Sequence, residues 1–334
     1  MTTISFPGLG IEEFTMDPAA ISFGESFSIY WYGILIAAGI ALAILYAWYR
    51  SRFEGVKFDD LLDITIFTVI FSVIGARLFY VIAAPEQFSG FLDVIALWDG
   101  RLAIYGAIIA GAITIAIVCK IKKISILKTL DLAAPAVMIG QIIGRWGDFF
   151  NGEAYGTILS EGSPLYFLRM GIYPHIFEDV KGLAYVHPTF LYESLANLVG
   201  FVVIHFLYKK KKFDGQIVLM YLTWYGFVRM FVEGLRTDSL YIGVFRISQV
   251  IGFICFVAGS VALIFNLAKA YRKQKDSEEY SPAYKKISDP ASMFMSNDAE
   301  DDYTPAFKFN SSEEDNDNAP SADAEKNDET YKEN

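Results

Sequence analysis

Five side chains in this sequence stand where a charge is expensive. Arg77, Arg145, Glu193, Arg229 and Glu233 all lie inside long apolar stretches, and a charge at the centre of a membrane-crossing helix costs about 2.5–3.5 kcal/mol. Ion pairing that holds helices in register is one explanation for such residues. Anion binding is the other, since a guanidinium presents a planar fork of donors that matches a phosphate. A second concentration of chemistry runs from Gly144 to Gly156, reading Gly-Arg-Trp-Gly-Asp-Phe-Phe-Asn-Gly-Glu-Ala-Tyr-Gly. Arg145, Asp148, Asn151 and Glu153 place a cation, two carboxylates and an amide close together in the chain. The glycines let the backbone turn sharply or approach a ligand. A capped helix end accounts for the glycines but not for that polar density. No metal-ligand spacing is present. His175 and His205 have no partner pattern, His187 precedes a proline and suits a structural role, and Cys119 and Cys255 read as small buried hydrophobes.

The elements that must position these residues are membrane spans. Hydrophobic residues make up 54% of the chain and gather in runs such as Ile29 to Trp48 and Ile104 to Val118. Runs of that length match a hydrocarbon core of roughly 30 Å. Only helices and closed barrels satisfy their backbone groups in lipid, and the alternation of a barrel strand is absent. The pattern predicts an all-α integral membrane protein with seven transmembrane helices, at about 29–49, 60–83, 102–119, 129–147, 188–208, 216–233 and 245–270.

Lys and Arg fix the orientation. They cluster after spans one (Arg50, Arg52, Lys57), three (Lys120, Lys122, Lys123, Lys128), five (Lys209 to Lys212) and seven (Arg272, Lys273, Lys275). The amino terminus is therefore expected outside and the carboxyl terminus in the cytoplasm. The stretch before span one has no Lys or Arg, so it lacks the basic region of a cleavable signal peptide. Residues 1–275 read as the membrane domain, with a small external head at about 148–187 between spans four and five. Residues 276–334 hold five basic and 17 acidic side chains, which accounts for the net charge of −10, and read as a disordered cytoplasmic tail. In this topology Arg77, Arg145 and Arg229 fall near the external ends of spans two, four and six, and a phospholipid headgroup is the anion at that depth. A membrane lipid or anion transporter with an arginine-lined site is the alternative, but no internal repeat supports it.

The segment from Gly144 resembles the signature of the prolipoprotein diacylglyceryl transferase family: Gly-Arg, a variable residue, Gly-Asn-Phe, a variable residue, Asn-Gly-Glu. Other motifs agree in order: Trp31-Tyr32-Gly33; Gly75-Ala76-Arg77 with Tyr80; Trp98-Asp99-Gly100; His187-Pro188 with Leu191-Tyr192-Glu193; and Tyr225-Gly226 with Arg229, Glu233 and Arg236. The resemblance covers roughly residues 25–270. Asp148 stands where the family usually has Asn, Tyr105 where many members have His, and Arg101 and Ala107 where glycines are common.

The resemblance implies a bacterial cytoplasmic-membrane enzyme that transfers diacylglyceryl from phosphatidylglycerol to the lipobox cysteine thiol of prolipoprotein signal peptides, releasing glycerol phosphate. It implies no cofactor, no metal and no nucleic acid; the partners are the two substrates and the bilayer. The thiol must become a thiolate to attack, and the departing phosphate needs positive charge fixed in advance. Arg145 and Arg229 are the candidates for that charge, with Glu233 orienting Arg229. Asp148, Asn151 and Glu153 would hold the glycerol headgroup or the loop itself, and Gly156, Tyr32, Tyr225 and Arg236 complete the expected substrate site. Tyr105 is either the base, with arginines beside it, or a headgroup hydrogen-bond partner.

Overall fold

The computed structural model describes residues 2–23, 27–88, 90–97, 100–173, 182–237 and 239–276. Trp98, Asp99, His175 and the reading of 277–334 as a tail lie outside them. Seven long helices dominate: α1 (Trp31–Glu54), α2 (Phe58–Ala83), α4 (Ile104–Lys122), α5 (Ile126–Phe150), α6 (Thr189–Leu207), α7 (Gln216–Leu235) and α8 (Ile247–Asp276); α3 (Phe91–Ile95) is a short turn between α2 and α4. Six of the seven are long and apolar enough to cross a membrane. The stretch with Asp131, Pro135 and Gln141 is among them. The exception is α7, whose Gln216, Arg229 and Glu233 dilute its apolar character.

The helices pack mainly as pairs, α1 on α5, α2 on α4 and α7 on α8, with α6 against α5 and α7. Small residues set how close the pairs come, as lipid-embedded interfaces require. A Cβ on Gly226 would lie 2.6 Å from the Phe256 amide nitrogen, and one on Gly252 3.0 Å from the Gly226 carbonyl oxygen.

The chain is mostly helical but not all-α. Four strands form an antiparallel sheet in the order β2-β1-β5-β6, from Ile11–Met16, Thr2–Phe6, Met170–Ile172 and Ala184–Val186. Two hairpins stand apart from it, β3 (Ala19–Phe23) with β4 (Phe27–Tyr30) and β7 (Tyr241–Ile242) with β8 (Phe245–Arg246). The structured segment between α5 and α6 is therefore completed by the start of the chain: Ile4 pairs with Ile172 and Ser5 with Gly171. Ile4, Phe6, Met170, Ile172 and Val186 pack with Phe149 and Phe190 at the adjoining ends of α5 and α6, and the Phe149 and Phe190 rings stack with centroids 4.6 Å apart. That cluster fixes where the last turns of α5, which carry the first half of the Gly144–Gly156 motif, meet the first turn of α6.

At the opposite end of α5, Asp131 accepts from the Gly215 and Val218 amides at 2.7 and 2.9 Å and so caps α7. Lys211 is fully buried against Glu54 Oε2 at 2.7 Å and Asp131 Oδ2 at 3.0 Å, with Asp214 at 3.2 Å. Burial by itself would lower the lysine's pKa, but the Asp131 and Glu54 carboxylates outweigh it and hold the ammonium above its ordinary value. The cluster ties α1, α5 and the α6–α7 connection together.

Candidate active site

Three helices bring five charged side chains into one file. Arg145 near the end of α5 donates from Nη1 to Asp148 Oδ2 at 2.6 Å, one turn on, and from Nη2 to Glu193 Oε1 at 3.0 Å. Glu193, in the first turn or so of α6, accepts at its other oxygen from Arg229 Nη1 at 3.0 Å. Arg229 Nη2 in turn lies 2.6 Å from Glu233 Oε2, one turn further along α7. The order is Asp148, Arg145, Glu193, Arg229, Glu233, with charges alternating. Glu193 is wholly buried, whereas Arg145, Asp148 and Arg229 keep 21%, 18% and 15% of their side chains exposed. The buried carboxylate fixes two guanidinium groups from separate helices, and the parts left accessible belong mostly to the cations.

Aromatic side chains flank the file. The Tyr32 ring lies against the backbone of α5, so that a Cβ on Gly147 would meet its Cδ2 at 2.7 Å. Its phenol feels Asp148, Glu153 and Arg145. Tyr225 lies within electrostatic reach of Glu193, Arg229, Arg145 and Glu233 and stacks on Tyr221, which accepts from Gln141 Nε2 at 3.0 Å. Below Arg145 opens a groove of about 600 Å³ between α1, α2, the rim of α4 and α5. Arg145 and Asp148 line one end, and the Ala47, Leu61 and Thr129 region lines the other. Between them the walls are chiefly aliphatic.

The remaining expected residues take other places. Tyr105 joins α4 to α8, its hydroxyl 3.0 Å from Ser248 Oγ, outside the ion-pair file. Asn151 is the C-cap of α5, its amide donating to the Gly147 carbonyl at 3.0 Å. Glu153 is exposed at the edge of a small cavity between β1, β5 and the end of α5. Gly156 bridges to Arg236, and a side chain on it would press on His187 Cβ at 2.7 Å and the Leu235 carbonyl at 2.8 Å, so the pair stitches the loop to the end of α7. His187 anchors the same loop: its carbonyl accepts from Gly156 at 2.8 Å and its amide donates to Thr157 at 3.1 Å. Burial pushes its imidazole below the usual histidine pKa.

Arg77 does not join the other two arginines. Its guanidinium donates to the backbone carbonyls of Val94 (2.9 Å), Arg101 (2.9 Å) and Asp93 (2.6 Å), pinning the α2–α4 connection. These carbonyl contacts leave no mark in a side-chain pattern, so the sequence relates Arg77 to the other two by depth alone. Glu193 is the reverse case. As a charge in an apolar run it must find cations, and the structure gives it both of the arginines expected to meet phosphate.

A polytopic helical chain with two guanidinium groups fixed by one buried carboxylate, one of them at the mouth of an apolar groove, has the makings of a membrane protein that handles an anionic amphiphile. The comparisons give the family. Residues 18–265 match the prolipoprotein diacylglyceryl transferase model, and the chain belongs to that family. It is 43% identical over 262 residues to the phosphatidylglycerol–prolipoprotein diacylglyceryl transferase of Finegoldia magna, covering 78% of this chain and 97% of that one. It is 38% identical over 268 residues to the enzyme of the same name from Streptococcus uberis, covering 79% and 99%.

Proposed function

We propose that this protein transfers the diacylglyceryl group of phosphatidylglycerol to the cysteine thiol of a prolipoprotein. The observation that carries the reading is the pair Arg145 and Arg229, both held by one buried carboxylate, with Arg145 at the mouth of an apolar groove. The headgroup phosphate meets the exposed faces of the guanidinium groups and an acyl chain enters the groove. The thiol gives its proton to a base, and the thiolate sulfur attacks the glycerol carbon that carries the phosphate ester. A carbon–sulfur bond forms as the carbon–oxygen bond breaks, and glycerol phosphate leaves with the electron pair. Charge gathers on the departing phosphate, where preorganised donors do most for the rate. Tyr32 and Tyr225 border the headgroup. Tyr105, whose hydroxyl pairs with Ser248 Oγ between α4 and α8, is the candidate base, accepting the thiol proton in its phenolate form.

The same reading sets the chain in the bacterial cytoplasmic membrane with seven spans, α7 being the additional one. It puts the amino terminus and the β1-β2-β5-β6 sheet outside, and the Lys/Arg-rich helix ends and the acidic segment 276–334 in the cytoplasm, as the basic-residue bias supports. The test is incubation of the purified protein with phosphatidylglycerol vesicles and a lipobox peptide, followed by mass measurement. The peptide is expected to gain one diacylglyceryl group with stoichiometric release of glycerol phosphate. An unmodified peptide alongside a folded, lipid-binding protein overturns the assignment.

A further inference from the structure

We propose that the groove is a chain-length gauge: one acyl chain of the donor phospholipid lies along α5, and Gly140, Ala136 and Ala133 set how long that chain can be. The inference rests on the proposed transferase activity for its headgroup end.

The groove follows one face of α5 at helical spacing, past Gly144, Gly140, Ala136 and Ala133 to Thr129, with Gly39, Ala43 and Ala47 of α1 opposite. At 1.5 Å per residue, the path from Arg145 to Thr129 is about 24 Å, whereas half of the hydrocarbon core is only about 15 Å. A chain whose phosphate rests at Arg145 therefore passes the midplane before it meets the floor. Within the groove its reach is limited by the first side chain that blocks the path, not by the opposite leaflet. The charged lining residues, Arg145 and Asp148, are both at the mouth, whereas further down only the hydroxyls of Thr65, Thr68 and Thr129 and the amide of Gln141 interrupt an otherwise apolar wall. A Cβ at Gly140 would meet nothing within 4 Å, so a side chain there projects into open space without disturbing the helix. By the same rise, obstructions at Gly140, Ala136 and Ala133 stand about 8, 13 and 18 Å below Arg145.

The experiment uses the full chain and the variants Ala133→Leu, Ala136→Leu and Gly140→Leu in nanodiscs, with dioctanoyl and distearoyl phosphatidylglycerol. Two readouts are taken: the chain distribution of lipid retained by the purified protein, by mass spectrometry, and transfer to the lipobox peptide. Ala133→Leu is expected to keep dioctanoyl transfer within about twofold and to lose about tenfold on distearoyl lipid, with retained lipid shifting to shorter chains. The tolerated length should shorten in the order Ala133, Ala136, Gly140, and Gly140→Leu should fail on both lipids. Ala43→Leu, which enters the groove from α1, gives the same selective loss and replaces any α5 variant that does not insert. Equal loss on both lipids in every variant, or an unchanged chain profile, overturns the gauge. A shifted retention profile without transfer by the wild type would keep the gauge and overturn the transferase reading instead.

Discussion

Replacing Asp148 with Asn should make the enzyme bind its lipid more tightly. Both ends of the Arg145 fork are engaged, Nη2 by the buried Glu193 at 3.0 Å and Nη1 by Asp148 at 2.6 Å. A phosphate that takes the fork in two-point contact must displace one partner, and the partly exposed Asp148 is the one that can turn away. The guanidinium keeps its charge and its hydrogen bond in both cases, so an amide forgoes only the ionic part of a partly exposed pair and should be easier to displace by about 0.2–1 kcal/mol. That corresponds to a factor of up to roughly 5 in affinity. The variant also removes a negative charge that repels the incoming phosphate at long range, which acts in the same direction. The assay is transfer to a lipobox peptide as a function of the mole fraction of phosphatidylglycerol, with membrane abundance matched. KM should fall several-fold while kcat stays within about threefold, since Asp148 leaves before the chemistry. A higher KM at normal abundance would mean that Asp148 holds Arg145 in place or contacts substrate, and the displacement argument would be wrong.

Glu193→Gln should lower kcat by on the order of 100-fold without raising KM, because two guanidinium groups freed from one buried carboxylate lose their placement while the file becomes less negative; unchanged kcat in a well-folded variant would show that Glu193 does not position them. Arg145→Lys preserves charge but not the fork and should lose most transfer at normal abundance, with near-normal activity pointing to a structural arginine and to Arg229 as the main phosphate contact. A reporter fused after Lys212 should score as cytoplasmic and one within 160–173 as external; finding both on one side would refute the seven-span arrangement. Burial lowers the His187 pKa, so as pH falls below about 6.5 the unfolded loop takes up the proton first and folded-state stability declines, levelling off below the folded pKa. Thermal unfolding followed from pH 7.5 to 5 should show that decline in wild type and a shallower one in His187→Gln; equal slopes would remove His187 from the account.

The helices were legible because lipid imposes a coarse rule: each of the seven long helices coincides with an apolar run to within a few residues. The strands were not. Thr2–Phe6 is a short mixed segment whose meaning depends on Met170–Ile172, and no local pattern announces a partner so distant in the chain. For that reason the sequence offers 148–187 as a small head without the β1 and β2 strands that pair with it. At the site, Arg145 with Asp148 and Arg229 with Glu233 were within reach of sequence, since residues three and four apart on a helix are neighbours. The link between the two pairs was not, because it runs through Glu193 on a third helix. The tie from Tyr105 to Ser248 on α8 was equally out of reach, since the two lie 143 residues apart in the chain.

The central position of β1 also sets a timetable for assembly. Its hydrogen-bonding edges are claimed by β2 on one side and β5 on the other, and β2 follows at once whereas β5 comes only after α1, α2, α4 and α5. At about 5–20 residues per second the ribosome needs on the order of ten seconds or more to supply that partner. Throughout that interval the first hairpin exposes an unpaired edge, and four helices must have been inserted before it can be covered. A strand edge in that state invites pairing with other chains, so the newborn protein is most vulnerable while the machinery that delivers it to the membrane is still attached.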